Sequence, residues 1–93
     1  MSAASAEKLR RAKSLIDTPD KWIKGDRVRV VNNQRCYCAV GALEMAGARF
    51  RPLVRALPGG SYTIVDFNDA PTTTHADVMA LFDRAIAAEE ADA

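Results

Sequence analysis

The apolar positions of this chain recur mostly at helical spacing. Leu9, Ala12, Leu15 and Ile16 form one stripe within residues 5–16, while Arg10, Arg11 and Lys13 fall mostly outside it, which predicts an amphipathic helix. Ala39, Val40, Leu43 and Ala46 repeat the pattern from about residue 36 to 46, with Gly47 placed as the C-cap. This is the most hydrophobic of the predicted helices. Its Gly41-Ala42 pair has almost no side-chain bulk, so a second backbone is expected to pack closely there. Val78, Leu81, Phe82, Ala85 and Ile86 mark a last helix, started by Thr74 with Asp77 three residues on as a capping box.

Shorter signals fill the gaps. Thr18-Pro19 opens a brief helical turn carrying Trp22 and Ile23, and Gly25 can end it. Pro52 can begin another, burying Leu53, Val54 and Leu57 before Pro58-Gly59-Gly60 stops it. Residues 27–31 alternate with the period of a strand, Asn32-Asn33 reads as a turn, and residues 61–67 are rich in β-branched and aromatic side chains. The expectation is that 27–31 and 61–67 pair with each other. Asn68-Asp69-Ala70-Pro71 then turns the chain into the last helix, with proline holding Ala70 extended. The fold class expected is mainly α, a small α+β domain with about three main helices, short helical turns and at most a two-stranded β element. The expected core contains Leu9, Ile16, Trp22, Val40, Leu43, Leu57, Ile64, Phe67, Val78 and Phe82.

A length of 93 residues suits one domain, with 1–4 and 89–93 expected to fray. Apolar residues at 48% and charged residues at 27% match a globular chain. No apolar run approaches the ~20 residues of a membrane span, and early Lys and Arg residues interrupt any export signal, so a bacterial cytoplasm is the expected setting. Net charge is +1, but unevenly spread. Residues 1–60 carry twelve Lys/Arg against five Asp/Glu, and residues 61–93 carry one Arg against seven acids.

Candidate chemistry is sparse. Cys38, near a helix start where a thiolate is favoured, can be grouped with His75 as base and Asn68 or Asp69 as orienter. A chain with one histidine and two cysteines always allows such a trio, and a buried core thiol is the plainer account of Cys38. Cys36 and Cys38, one residue apart, are expected to remain thiols. With His75 they make a poor ligand set, so neither metal nor cofactor is implied. His75, in the first turn of a helix, is expected to be exposed. Arg27, Arg29, Arg35, Arg49, Arg51 and Arg55 offer a basic surface for a protein partner, or for nucleic acid with Tyr37 and Phe50 stacking on bases. The near-neutral total and the lack of a named binding signature argue against nucleic acid. Trp22 is expected to be a core anchor whose indole N–H finds an acceptor.

Trp22 to Gly25, the run Cys38-Ala39-Val40-Gly41-Ala42-Leu43, and Asn68-Asp69-Ala70-Pro71 followed by Thr74 have an order and spacing of their own. Together they resemble a family of small proteins of unknown function from actinobacteria and their phages, with Trp-x-x-Gly, Cys-x-x-Gly-Ala-Leu and Asn-Asp-Ala-Pro motifs. Phe67 stands where that family often has tryptophan. The resemblance implies a phage or prophage accessory protein that binds a host macromolecule, and it brings no catalytic residues. A non-enzymatic interaction protein acting on a host protein is the expectation, with a Cys38/His75 hydrolase or transferase as the alternative.

Overall fold

The structure is a computed structural model, and it describes residues 3–59 and 63–91. Helix α1 (Ala3–Leu15) is followed by a 3-10 turn (Pro19–Lys21), a hairpin of β1 (Val28–Val31) and β2 (Gln34–Tyr37), and helices α2 (Ala39–Ala46), α3 (Arg51–Ala56), α4 (Ile64–Asp69) and α5 (His75–Ala91). The protein is thus a small, mainly helical α+β unit. Residues 3–4 and 89–91 are helical, and an Arg10–Glu90 ion pair ties α1 to the end of α5.

The core follows the helical stripes. Ala6, Leu9, Ala12 and Ile16 of the α1 face meet Val78, Leu81, Phe82, Ala85 and Ile86 of α5, while α2 packs on α1 and contributes Val40, Leu43 and Ala46. Of the expected core, Leu9, Ile16, Val40, Leu43, Ile64, Val78 and Phe82 are buried, and Trp22, Leu57 and Phe67 are half-buried against it. Val54 is instead exposed. With α3 barely two turns long, Pro52 and Leu53 occupy its inner face and Val54 turns outward.

The strand pairing differs from the expected one. β1 pairs antiparallel with β2, not with residues 61–67, in a register running from Val28 opposite Tyr37 to Val31 opposite Gln34. The two-residue loop is Asn32-Asn33, both at positive φ (52° and 65°), the geometry that matches strand twist in tight hairpins. Residues 36 and 37 therefore belong to β2, and the helix expected from residue 36 begins at Ala39. Residues 64–67 are helical, although 61 and 62 lie outside the described residues. The Thr63 hydroxyl accepts the Asp66 N–H at 2.9 Å and caps α4, which turns Ile64, Phe67 and Asn68 inward at helical spacing. Capping and burial override β propensity there.

Two expected backbone devices are present. The Thr74 N–H donates to Asp77 Oδ2 at 2.9 Å, and the Asp77 N–H donates to Thr74 Oγ1 at 3.2 Å. Hydrogen bonding to the carboxyl itself, from the Thr74 amide first and the Thr74 hydroxyl second, holds Asp77 below its ordinary value. At Gly41, a Cβ would lie 2.0 Å from the Arg27 carbonyl oxygen. The close backbone approach expected at Gly41-Ala42 is thus the segment leading into β1 crossing α2. No helix among the described residues is long and apolar enough to cross a membrane.

Candidate functional site

The residues singled out from the sequence separate into a buried node and an exposed basic face. Asn68, the fifth residue of α4, is fully buried and uses both ends of its amide. Its Oδ1 accepts the Trp22 indole N–H at 2.7 Å and the Ala39 backbone N–H at 3.0 Å. Its Nδ2 donates to the Ile23 carbonyl at 3.1 Å and to Asp69 Oδ1 at 2.9 Å. The amide orientation follows from the partners, because two N–H donors need an oxygen and two oxygens need an N–H. Asp69 Oδ1 also accepts the Gly25 N–H at 3.0 Å, and Lys24 Nζ donates to the Ala70 carbonyl at 2.6 Å. Lys24 Nζ also lies 5.5 Å from the Trp22 ring centroid.

This node joins the three sequence motifs in space. Trp22 and Gly25 belong to the first, Ala39 opens the helix of the second, and Asn68 and Asp69 belong to the third. Asn68 and Asp69 are the last two residues of α4, not a free turn, and the backbone amides they bond are distant in sequence. Ala70 caps the helix in an extended conformation before Pro71, as the proline requires. Trp22 is the anchor expected of it, half-buried with its N–H paired.

Cys38 and His75 have separate partners. The Cys38 thiol is buried and accepts the Gly41 N–H at 3.4 Å, so it serves as the N-cap of α2. His75, the first residue of α5, is half-buried, not exposed: its Nε2 lies 2.7 Å from the Ile16 carbonyl and its ring 6.0 Å from that of Trp22. A carbonyl only accepts, so Nε2 carries the proton and satisfies an oxygen that the end of α1 leaves unpaired. No hydrogen bond joins Cys38 to His75 among the described residues. Cys36 is buried in β2 with its thiol 3.2 Å from the Asp20 carbonyl, and both cysteines are free. No cluster of three or more His, Cys, Asp or Glu suited to a metal occurs among the described residues.

The arginines divide in two. Arg27 pairs with Glu44 at 3.1 Å and Arg29 with Asp26 at 2.6 Å, all four exposed. Arg35 on the hairpin and Arg49, Arg51 and Arg55 around α3 are exposed and carry no ion pair among the described residues. Phe50 and Val54 are exposed between them, and Met45 is exposed at the end of α2. Tyr37, considered above as a stacking partner, is buried opposite Val28 and has no free face for a base. Val54, expected to be buried, is exposed beside Arg51 and Arg55. The i, i+4 spacing of Phe50 with Val54, read as a stripe separate from Leu53, was the available signal.

No curated protein and no solved structure matches the chain. One family model does match, over residues 1–88, almost the whole length and all three motifs that meet at Asn68. On that match, the chain belongs to the family of unknown function DUF6197.

Proposed function

We propose that this is a non-enzymatic interaction protein, a phage or prophage accessory protein that binds and modulates a protein of its bacterial host through the face bearing Arg49, Arg51 and Arg55. The observation that carries the reading is that these three exposed guanidiniums lack carboxylate partners among the described residues while Phe50 and Val54 lie exposed between them. Arg10, Arg27 and Arg29 are, by contrast, engaged within the molecule. Arginine and aromatic side chains are enriched where protein interfaces concentrate their binding energy. The motif residues support the same division. Trp22, Asn68 and Asp69 have their polar groups occupied by one another and by backbone, which suits them to hold the fold while the arginines meet the partner.

Capture from actinobacterial lysate by the wild-type protein and by the R49E/R51E/R55E variant tests this. Loss of the captured proteins with an unchanged unfolding midpoint is expected. An identical captured set would remove this face from the function.

A further inference from the structure

The basic face has a geometry that specifies the chemistry of its partner. Phe50 caps α3 with helical backbone angles (φ −78°, ψ −30°), and its carbonyl accepts the Val54 N–H at 3.0 Å, so residues 50–55 lie on one helical surface. Phe50 and Val54 are therefore one turn apart, as are Arg51 and Arg55, and the two pairs form neighbouring apolar and basic ridges. Arg49 precedes them on the connecting segment. The surface is also firmly held. Pro52 and Leu53 are buried beneath it, and Arg84 of α5 donates from Nε at 3.3 Å and Nη2 at 3.1 Å to the Ala56 carbonyl, fixing the last turn of α3. A partner meeting this face finds the side chains on an ordered backbone, which lowers the entropic cost of association.

We infer, resting on the interaction reading above, that this face takes an acidic amphipathic protein segment, with carboxylates one helical turn apart beside a large apolar side chain. Charge complementarity sets the acidic part: three cations with no ion pair among the described residues are matched by carboxylates, which arginine binds in a planar fork. The apolar ridge sets the rest. Phe50 and Val54 gain from contact with hydrocarbon, and a phosphate backbone laid over them would be desolvated without compensation.

The test is fluorescence anisotropy of the full chain with three labelled probes. These are a helical Leu/Glu peptide of about 15 residues with Glu pairs at i, i+4 beside a leucine stripe, its Gln-for-Glu analogue, and a single-stranded DNA of about 20 nucleotides. The Glu peptide should bind at least about tenfold more tightly than the Gln analogue and weaken with added salt. R51E/R55E should weaken it by a further factor of about ten, and F50A should weaken it while leaving the salt dependence unchanged. Equal binding of the two peptides, no binding of the Glu peptide, or tighter arginine-dependent binding of the DNA would overturn the assignment. If host-protein capture still depended on Arg49, Arg51 and Arg55 in that event, the interaction reading would stand and only the partner chemistry would fall.

Discussion

Asn68 shows how one side chain can fix the relation of several segments. A buried amide is costly unless all its hydrogen-bonding positions are filled, and here they are filled by Trp22, Ile23, Ala39 and Asp69. Asn68→Ala leaves the Trp22 indole N–H, the Ala39 N–H and the Ile23 carbonyl without their partner. At about 1–3 kcal/mol for each stranded group, the loss should total at least about 3 kcal/mol, a large share of a small domain's stability, read as a drop in the urea midpoint. Asp69→Ala should also lower the midpoint, because a single Asp69 oxygen holds both the Gly25 N–H and the Asn68 amide. Wild-type stability in both variants would mean that the node does not hold the fold. The two thiols give a second residue-scale expectation. Cys36 and Cys38 are 1% and 4% exposed, so a water-soluble thiol reagent should label them only at the rate of unfolding. Rapid labelling of Cys38 in the native protein would show an accessible nucleophile instead.

At the scale of elements, contacts that need no side chain are as constraining as those that do. Gly41→Ala would drive a methyl group into the Arg27 carbonyl, which also accepts the Cys38 N–H at 3.2 Å at the base of the hairpin. Backbone cannot move aside as a flexible side chain can, so a loss of about 1–3 kcal/mol is expected, with faster hydrogen exchange at Cys38. Unchanged exchange there would contradict the close approach. The capping box of α5 predicts a pH effect of definite sign. The Asp77 carboxyl titrates below its unfolded value of 3.8, so its contribution is fully present above that value and is lost as pH falls through the folded value. Thr74→Ala should cost about 1 kcal/mol near neutrality, and Asp77→Asn, which removes the titrating carboxyl, should flatten the acid limb of the stability profile. An acid limb identical to wild type would exclude this coupling. The long helices and this box were legible because period and cap agree in the sequence. The pairing of 27–31 with 61–67 was misread for a local reason. β-branched residues such as Val65 favour a strand, but the Thr63-x-x-Asp66 cap starts a helix there, and the Asn32-Asn33 turn pairs 28–31 with 34–37 instead. No local signal announces that Asn68 will meet Trp22, 46 residues away.

For the whole molecule, the core that carries stability and the face proposed for recognition are different parts of one small structure. The core runs through α1, α2 and α5, so truncating Leu43 or Phe82 to alanine should cost about 2–5 kcal/mol, and negligible midpoint shifts in both would show the core misplaced. The charge asymmetry read along the chain is partly cancelled by folding. Arg10 meets Glu90, Lys13 meets Asp83 at 2.6 Å, and the charges without an ion pair among the described residues include Arg49, Arg51 and Arg55 beside Phe50 and Val54. The family match leaves function to be argued from such residues, and the proposed binding face lies outside the motif node. The most direct measurement is quantitative capture of host proteins by R49E/R51E/R55E relative to wild type, with both proteins confirmed equally stable by urea unfolding. The account predicts that the specific partner falls to background. Capture at the wild-type level would contradict it.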